Sequence, residues 1–123
     1  MTGLMKIGDL ARATGVNPRL LRYYEEQGLI TSQRTASGHR HYTAETVEGV
    51  ERVRTLLAVG LSTAVIRELM PCFIAGTDLH PCAGADLQTH LDELEARIAE
   101  MEHTRASLGN LIAAAKANPP NAA

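Results

Sequence analysis

Residues 5–30, MKIGDLARATGVNPRLLRYYEEQGLI, contain two helical patterns separated by a very short turn. The first pattern places apolar and small side chains at helical spacing, and Gly15 after it supplies the left-handed backbone that ends a helix. Asn17 and Pro18 are typical of a helix start, because the asparagine side chain caps free amides and proline suits the first helical position. The second helix is predicted to run to about Gln27. Two helices joined this closely predict a helix-turn-helix.

Residues 29–43 change character and predict a hairpin, because two short β-favouring stretches flank a loop of small residues at 36–38. We interpret this hairpin as a wing. A third helix is predicted over about 44–59, and a fourth begins at Ser62 and ends before Pro71. Their predicted buried stripes are Val47, Val50, Val53 and Leu57 in the third helix and Val65, Ile66, Leu69 and Met70 in the fourth.

A long helix is predicted after a loop at 72–84 that is rich in Gly, Pro and Thr and serves as a hinge. Its apolar side chains recur every 3.5 residues, with one interruption at Arg105 that could fix the register. This repeat is the seam of a coiled coil, and a helix of roughly 45 Å needs a partner to cover it. The seam residues are Leu87, Leu91, Leu94, Ile98, Met101, Leu108 and Ile112.

The expected fold is mainly α: a winged helix-turn-helix head, a helix pair, and a long C-terminal helix for antiparallel coiled-coil dimerisation. The boundaries are 1–70 for the head with the helix pair, 71–84 for a hinge or effector loop, 85–117 for the dimerisation helix and 118–123 for a flexible tail. The length of 123 residues leaves room for little else.

Charge is divided unevenly along the chain, although the net charge is only −2. Residues 1–44 carry +3, residues 45–70 carry −1 and residues 71–123 carry −4. An acidic remainder therefore masks a basic head, which suits a nucleic acid partner. The chain has no apolar run of membrane-spanning length and no export signal at its start, so we expect a cytoplasmic protein with no membrane partner.

The second helix is expected to expose Arg19, Arg22 and Tyr23 at its N-terminal half, as recognition helices do. Arginine can bind a guanine edge or a phosphate, and a tyrosine hydroxyl can donate to a phosphate.

In the wing, strand alternation places Arg40 and Tyr42 on one face and His39 and His41 on the other, with Arg34 on the facing strand. Gly38 would allow close approach to the DNA backbone. For the two histidines, a solvated or phosphate-facing pair is favoured over a metal site.

The segments MKIGDLARATGVNPRLLRYYEEQGLI, SGHRHYT (37–43) and LLAVGLSTAVIREL (56–69) together resemble the MerR family of transcriptional regulators. The resemblance implies a homodimer on double-stranded promoter DNA, whose over-long spacer is bent and untwisted so that RNA polymerase engages. It also implies effector sites near the start of the dimerisation helix.

The resemblance implies that Arg19, Tyr24 and Arg40 contact mainly the DNA backbone and that Asn17 lies closer to the bases. The alternative for Tyr23 and Tyr24 is packing against the wing. The complete predicted DNA-binding set is Asn17, Arg19, Arg22, Tyr23, Tyr24, Arg34, Ser37, Gly38, His39, Arg40 and Tyr42.

Cys72 and Cys82 are expected to be reduced thiols, sensors or ligands rather than a structural staple. Three alternatives stay open: a soft metal site with His80 or His90, a redox-active thiol pair, and inert cysteines. Metal sensors that resemble this chain use further cysteines beyond the dimerisation helix, and this sequence has none after Cys82.

Two other functional classes compete with a regulator. One is an architectural or excision-type DNA-binding protein, which usually lacks a long dimerisation helix. The other is a thiol or metal enzyme, which is disfavoured because no nucleophile, base and oxyanion donor form an interpretable arrangement. We therefore expect no enzymatic activity.

Overall fold

The computed structural model describes residues 4–76 and 78–120. Helix α1 spans Ile7–Thr14 and helix α2 spans Pro18–Glu26. Gly15 ends α1 with φ 73°, a left-handed backbone that favours glycine. Asn17 caps α2, because its Oδ1 accepts a 2.8 Å hydrogen bond from the backbone N–H of Leu20. The predicted helix-turn-helix is confirmed.

The wing is a short antiparallel hairpin of strands β1 (Gln33–Arg34) and β2 (Arg40–His41). Its loop closes through hydrogen bonds from Gly38 N to Thr35 O (2.9 Å) and from Thr35 N to His39 O (3.0 Å). The loop reverses direction at Gly38, whose φ of 84° would strain any larger residue. The predicted wing is confirmed.

Helix α3 spans Ala44–Ala58 and helix α4 spans Thr63–Leu69, capped by the Ser62 side chain. Leu57, which was predicted for the buried stripe of α3, is only half-buried, and Leu56 is the buried residue at this turn. Positions three and four residues along a helix flank the same stripe, so the spacing alone does not decide between them. Val47, Val65 and Met70 are also only half-buried. The largest fully buried side chains are Leu10, Leu21, Val50, Val53, Ile66 and Leu69.

The segment after α4 is more ordered than the loop predicted for it. Strands β3 (Phe73–Ala75) and β4 (Asp78–Leu79) pair antiparallel, and 3₁₀ turns flank them at Met70–Cys72 and Pro81–Ala83. A two-stranded hairpin this short is marginal by itself. The contacts that hold it are distant in sequence, so local patterns did not reveal it.

The β3–β4 hairpin is fixed to α3 by a pair of charged side chains. Arg52 donates to Gly76 O (2.7 Å) and to Glu48 Oε1 (2.7 Å), and its guanidinium lies 5.1 Å from the centre of the Phe73 ring. The same Glu48 oxygen accepts from Gly76 N at 2.7 Å. Two hydrogen bonds and one cation–π contact from α3 therefore hold this hairpin.

Helix α5 spans Gly84–Ala117, and its 34 residues make it about 51 Å long. The described chain divides into two compact units, one ending at Gly84 and one beginning at Ala85. None of the helices in the described part is apolar enough over a sufficient length to span a membrane. Residues 121–123 of the predicted tail lie outside the described residues.

The predicted seam of α5 is largely open to solvent in the single chain. Six of its seven apolar residues are between 41% and 71% exposed, and Leu87 is half-buried. Exposed large apolar side chains at 3.5-residue spacing are typical of a helix that pairs with another.

We expect Ile66→Ala to destabilise the head by about 2–5 kcal/mol, because this fully buried side chain would leave a cavity. Urea unfolding followed by circular dichroism measures the loss. The matched control is Ile74→Ala, in which the isoleucine is 65% exposed and the loss should be below about 0.5 kcal/mol. Equal losses in the two variants would contradict the described core.

Candidate nucleic-acid interface

The N-terminal half of α2 presents an exposed, positively charged face. Arg19, Arg22 and Tyr23 lie three to four residues apart on one side of the helix, and all three are exposed. Neither Arg19 nor Arg22 forms a hydrogen bond or ion pair with another described residue. Their donors are therefore free for an external acceptor, as expected from the sequence.

Asn17, which is predicted to lie near the DNA bases, also has a structural role as the N-cap of α2. Its amide oxygen is occupied as the cap of α2, where it accepts from Leu20 N. The side chain is exposed, so its amide nitrogen remains the group that can reach a ligand.

Tyr24 faces the opposite side of α2 from the arginines and is only 3% exposed. Burial raises the pKa of this tyrosine, and the positive charge of Arg54 partly opposes the effect. The Tyr24 ring also lies 6.4 Å from the Tyr23 ring. This burial corrects the expectation of a contact between Tyr24 and the DNA backbone; Tyr23 is 44% exposed.

Glu25, near the end of α2, joins the helix to the wing. Its Oε1 accepts a 2.8 Å hydrogen bond from the Tyr42 hydroxyl, and its Oε2 accepts from the Ser32 hydroxyl at 3.0 Å. The Arg40 guanidinium forms an ion pair with Oε2 at 3.2 Å. One carboxylate thus receives three donors and fixes the angle between α2 and the strand β2. Sequence reasoning missed this role, because no local spacing relates Glu25 to residues of the wing.

The wing tyrosine is part of this connection rather than an exposed DNA contact. Tyr42 is 2% exposed, which corrects the expectation that it forms part of the binding surface. Burial first, and then the hydrogen bond and negative charge of Glu25, raise the pKa of Tyr42 to about 12. Alternation was nevertheless right about the shared face, since Arg40 and Tyr42 both reach Glu25.

Two like charges face each other across the wing. Arg34 is directly opposite Arg40 in the hairpin register, and both side chains are exposed. Directly opposed like charges disfavour a strand pair. Arg34 donates to Gly38 O at 3.3 Å, and Glu25 neutralises part of the charge on Arg40. The remaining positive charge suits an anion such as a phosphate.

The two wing histidines lie beside this charged pair. His39 is exposed and His41 is half-buried, and the Nδ1 of His41 lies 3.2 Å from His39 O. No group of three or more His, Cys, Asp or Glu residues that could hold a metal exists in 4–76 and 78–120. Ser37, at the wing loop, is exposed and within 2.9 Å of the Thr35 hydroxyl.

A cleft of about 630 Å³ lies between the start of α1, the helix α2 and the wing. Lys6, Arg22 and Arg40 bring three cations to its lining. Sequence reasoning counted Lys6 in the basic head but did not assign it to the site. Lys6 lies near the wing because of a tertiary contact that no local pattern predicts. Its neighbour Met5 and Tyr42 exchange backbone hydrogen bonds of 2.8 and 2.7 Å.

Cys72 and Cys82 form a disulfide, with their Cα atoms 5.9 Å apart. The expectation of reduced thiols is therefore wrong for this structure, in which the two sulfurs are oxidised. A soft metal binds thiolates, and neither sulfur is a thiolate here. His80 Nδ1 is already used, since it accepts from Cys82 N at 3.0 Å. These residues do not fit a metal site in this state.

A capped helix with an exposed basic face beside a basic wing defines a winged helix-turn-helix DNA-binding protein. Two family models match the chain: "MerR HTH family regulatory protein" over residues 5–71 and "MerR, DNA binding" over residues 47–111. The chain belongs to the MerR family of DNA-binding transcriptional regulators, which are not enzymes.

Characterised relatives agree with this family. The chain is 35% identical over 111 residues to the HTH-type transcriptional regulator ZntR of Escherichia coli (strain K12), covering 88% of this chain and 78% of ZntR. It is 30% identical over 118 residues to the regulator HmrR of Rhizobium leguminosarum bv. viciae, covering 93% and 88%. It is 38% identical over 107 residues to the nodulation protein NolA of Bradyrhizobium sp. (strain NC92), covering 86% of this chain. The match spans 42% of NolA, about two fifths of that relative's length.

Solved structures share the fold at lower identity. MtaN, the N-terminus of the Bacillus subtilis multidrug transporter activator, has a TM-score of 0.68 at 20% identity, covering 87% of this chain and 96% of that one. PbrR691 from Ralstonia metallidurans CH34, in complex with lead(II), has a TM-score of 0.67 at 20% identity, covering 97% and 91%. HiNmlR, a MerR family regulator lacking the sensor domain and bound to promoter DNA, has a TM-score of 0.57 at 21% identity, covering 90% and 89%. These likenesses establish the mainly helical fold.

We expect the stability of the wild-type protein to fall as pH rises from 10 towards 12. The pKa of Tyr42 is raised in the folded state, so its stabilising effect is full below its ordinary value of 10 and is lost as pH passes about 12. The loss is about 2 kcal/mol, and urea unfolding at a series of pH values measures it.

The control for that prediction is Tyr42→Phe. At pH 8 this variant should be about 1 kcal/mol less stable, because the hydrogen bond to Glu25 is absent. Between pH 10 and 12 it should lose less stability than the wild type, while Tyr24, whose pKa is also raised, contributes equally to both. Parallel pH curves for the two proteins would refute the role given to Tyr42.

Proposed function

We propose that the chain acts as a homodimer that binds double-stranded promoter DNA and changes its shape to control transcription. Each head, residues 1–70, contacts one half-site of a near-palindromic operator, and residues 85–117 of the two copies pair as an antiparallel coiled coil. Residues 71–84 connect the two parts. A protein acting on promoters works in the cytoplasm of a bacterial cell, where we place it.

The observation that carries the proposal is the set of exposed cations on α2 and the wing, two of which line one cleft together with Lys6. Arg19 and Arg22 on α2 and Arg34 on the wing are exposed, and Lys6 and Arg40 line the cleft between these elements. A helix can enter the major groove while a flanking basic wing holds the adjacent phosphates. The relative HiNmlR bound to promoter DNA has the same fold, which supports this mode of binding.

Distortion of the promoter is the next step of the proposal, and it follows if the dimer holds its two heads at a fixed spacing. A dimer whose half-sites are held at a fixed spacing can favour one twist of the intervening DNA. RNA polymerase would then respond to the changed spacer without a direct contact to this chain. Sequence preference at base pairs that the protein does not touch is the expected sign of such distortion.

We expect Arg22→Ala to weaken binding to an operator selected from random duplexes by about tenfold or more. If Arg22 contacts a phosphate, the loss should be similar for all sequences and the dependence on salt should fall by about one unit of slope per contact. Fluorescence anisotropy over a series of salt concentrations measures both quantities.

The matched control for Arg22→Ala is Lys116→Ala, which removes one positive charge in the last turn of α5. Its affinity should equal that of the wild type. If no duplex is selected at low salt, or if both variants bind like the wild type, the proposed DNA surface is wrong.

We expect Ile98→Glu to convert the dimer into a monomer, because a charge at the centre of the seam would be buried against the partner helix. Sedimentation velocity measures the change. The control is Ala96→Glu, which adds the same charge opposite the seam and should remain dimeric. A wild-type protein that sediments as a monomer would instead favour an architectural or excision-type DNA-binding protein.

A further inference from the structure

The Cys72–Cys82 disulfide closes a covalent ring around the β3–β4 hairpin. Cys72 is the last residue of the 3₁₀ turn that follows α4, and Cys82 lies two residues before α5 begins at Gly84. The backbone N–H of His80 donates to Cys72 O at 2.7 Å, just inside the cross-link. The disulfide therefore lies on the segment that connects the DNA-binding head to the long helix.

Reduction of the disulfide would increase the distance that the segment between Cys72 and Cys82 can span. The disulfide holds the two Cα atoms 5.9 Å apart, whereas ten residues of open chain can span roughly 33 Å. The hairpin itself contains five strand residues, three in β3 and two in β4, too few for independent stability. After reduction, no covalent bond would close the ring, and the hairpin would be restrained by its own pairing, by the hydrogen bond from His80 N to Cys72 O and by the contacts of Arg52 and Glu48.

The two cysteine residues differ in exposure. Cys72 is 8% exposed, whereas Cys82 belongs to the exposed residues. An external thiolate can approach the Cys82 side of the bond and displace the buried Cys72 sulfur. The greater exposure of Cys82 favours attack at that sulfur, which gives the exchange a direction.

We infer that Cys72 and Cys82 form a redox site that sets the coupling between the two heads of the dimer, an inference that rests on the proposed function. The reductant is a dithiol. One of its thiolates attacks Cys82 Sγ, the S–S bond breaks, and Cys72 leaves as a thiolate that takes up a proton. The second thiol of the reductant then displaces Cys82, so the protein gains two electrons and two protons and the reductant becomes a disulfide.

The oxidised form should bind an operator with two half-sites more tightly than the reduced form. A short, closed connection keeps the second head at a high effective concentration near its half-site, and a longer flexible connection lowers that concentration. We expect reduction to weaken binding to the two-half-site duplex by about tenfold. Binding to a single half-site should not change, because the disulfide lies outside the basic surface of α2 and the wing.

The experiment uses the full chain in mixtures of reduced and oxidised glutathione, and with dithiothreitol as the dithiol. Alkylation and mass spectrometry count the free thiols, and anisotropy measures affinity for both duplexes. The loss of affinity for the two-half-site duplex should follow the appearance of two free thiols. A disulfide that stays intact in a hundredfold excess of reduced glutathione would be a structural cross-link and would overturn the inference.

The variant Cys72→Ser combined with Cys82→Ser serves as the control. It should bind the two-half-site duplex like the reduced wild type and should not respond to dithiothreitol, while keeping the half-site affinity that reports a folded head. Equal affinity of oxidised and reduced wild type for the two-half-site duplex would overturn the redox site and leave the regulator intact.

Failure of the proposed function gives a different result, namely no binding to either duplex in either state. Amide hydrogen exchange then tests the redox site without DNA. Reduction should speed exchange in the described residues between Phe73 and Pro81, and unchanged exchange there would overturn the inference.

Discussion

The carboxylate of Glu25 lies where the recognition helix and the wing meet, and it is the only acidic group among the described residues that contacts both. Three donors from Ser32, Arg40 and Tyr42 converge on its two oxygens. Charge-assisted hydrogen bonds of this kind have demanding geometry, so they fix an angle as well as contribute energy. Without them, the arginines of α2 and those of the wing would be two separate basic surfaces. The shape of the proposed DNA-binding surface therefore depends on one negative charge placed among positive ones.

Local signals were sufficient for most of the fold. The glycine after α1, the Asn17 cap of α2 and the Ser62 cap of α4 each act within a few residues, and each lies where the sequence predicted it. The β3–β4 hairpin was not predicted, because it is held by a disulfide between cysteines ten residues apart and by contacts from Arg52. Such contacts join positions that no helical or strand period relates.

The binding surface was predictable only as far as periodicity extends. Helical spacing correctly predicted that Arg19, Arg22 and Tyr23 are exposed, because these residues share one side of α2. Spacing did not show that Tyr24 and Tyr42 are buried, since the side of an element that is covered depends on what packs against it. A buried tyrosine hydroxyl needs a hydrogen-bond partner. The partner of the Tyr42 hydroxyl is Glu25, which belongs to another element.

Positive and negative charges are separated along the chain. Residues 71–123 carry −4, and the acidic side chains of α5 are distributed along a helix of about 51 Å. At physiological salt, charges are screened beyond about 8 Å, so each of these acids acts only on groups close to it. A chain with a net charge of −2 can therefore bind a polyanion, because the DNA responds to the charge it meets at close range and not to the total.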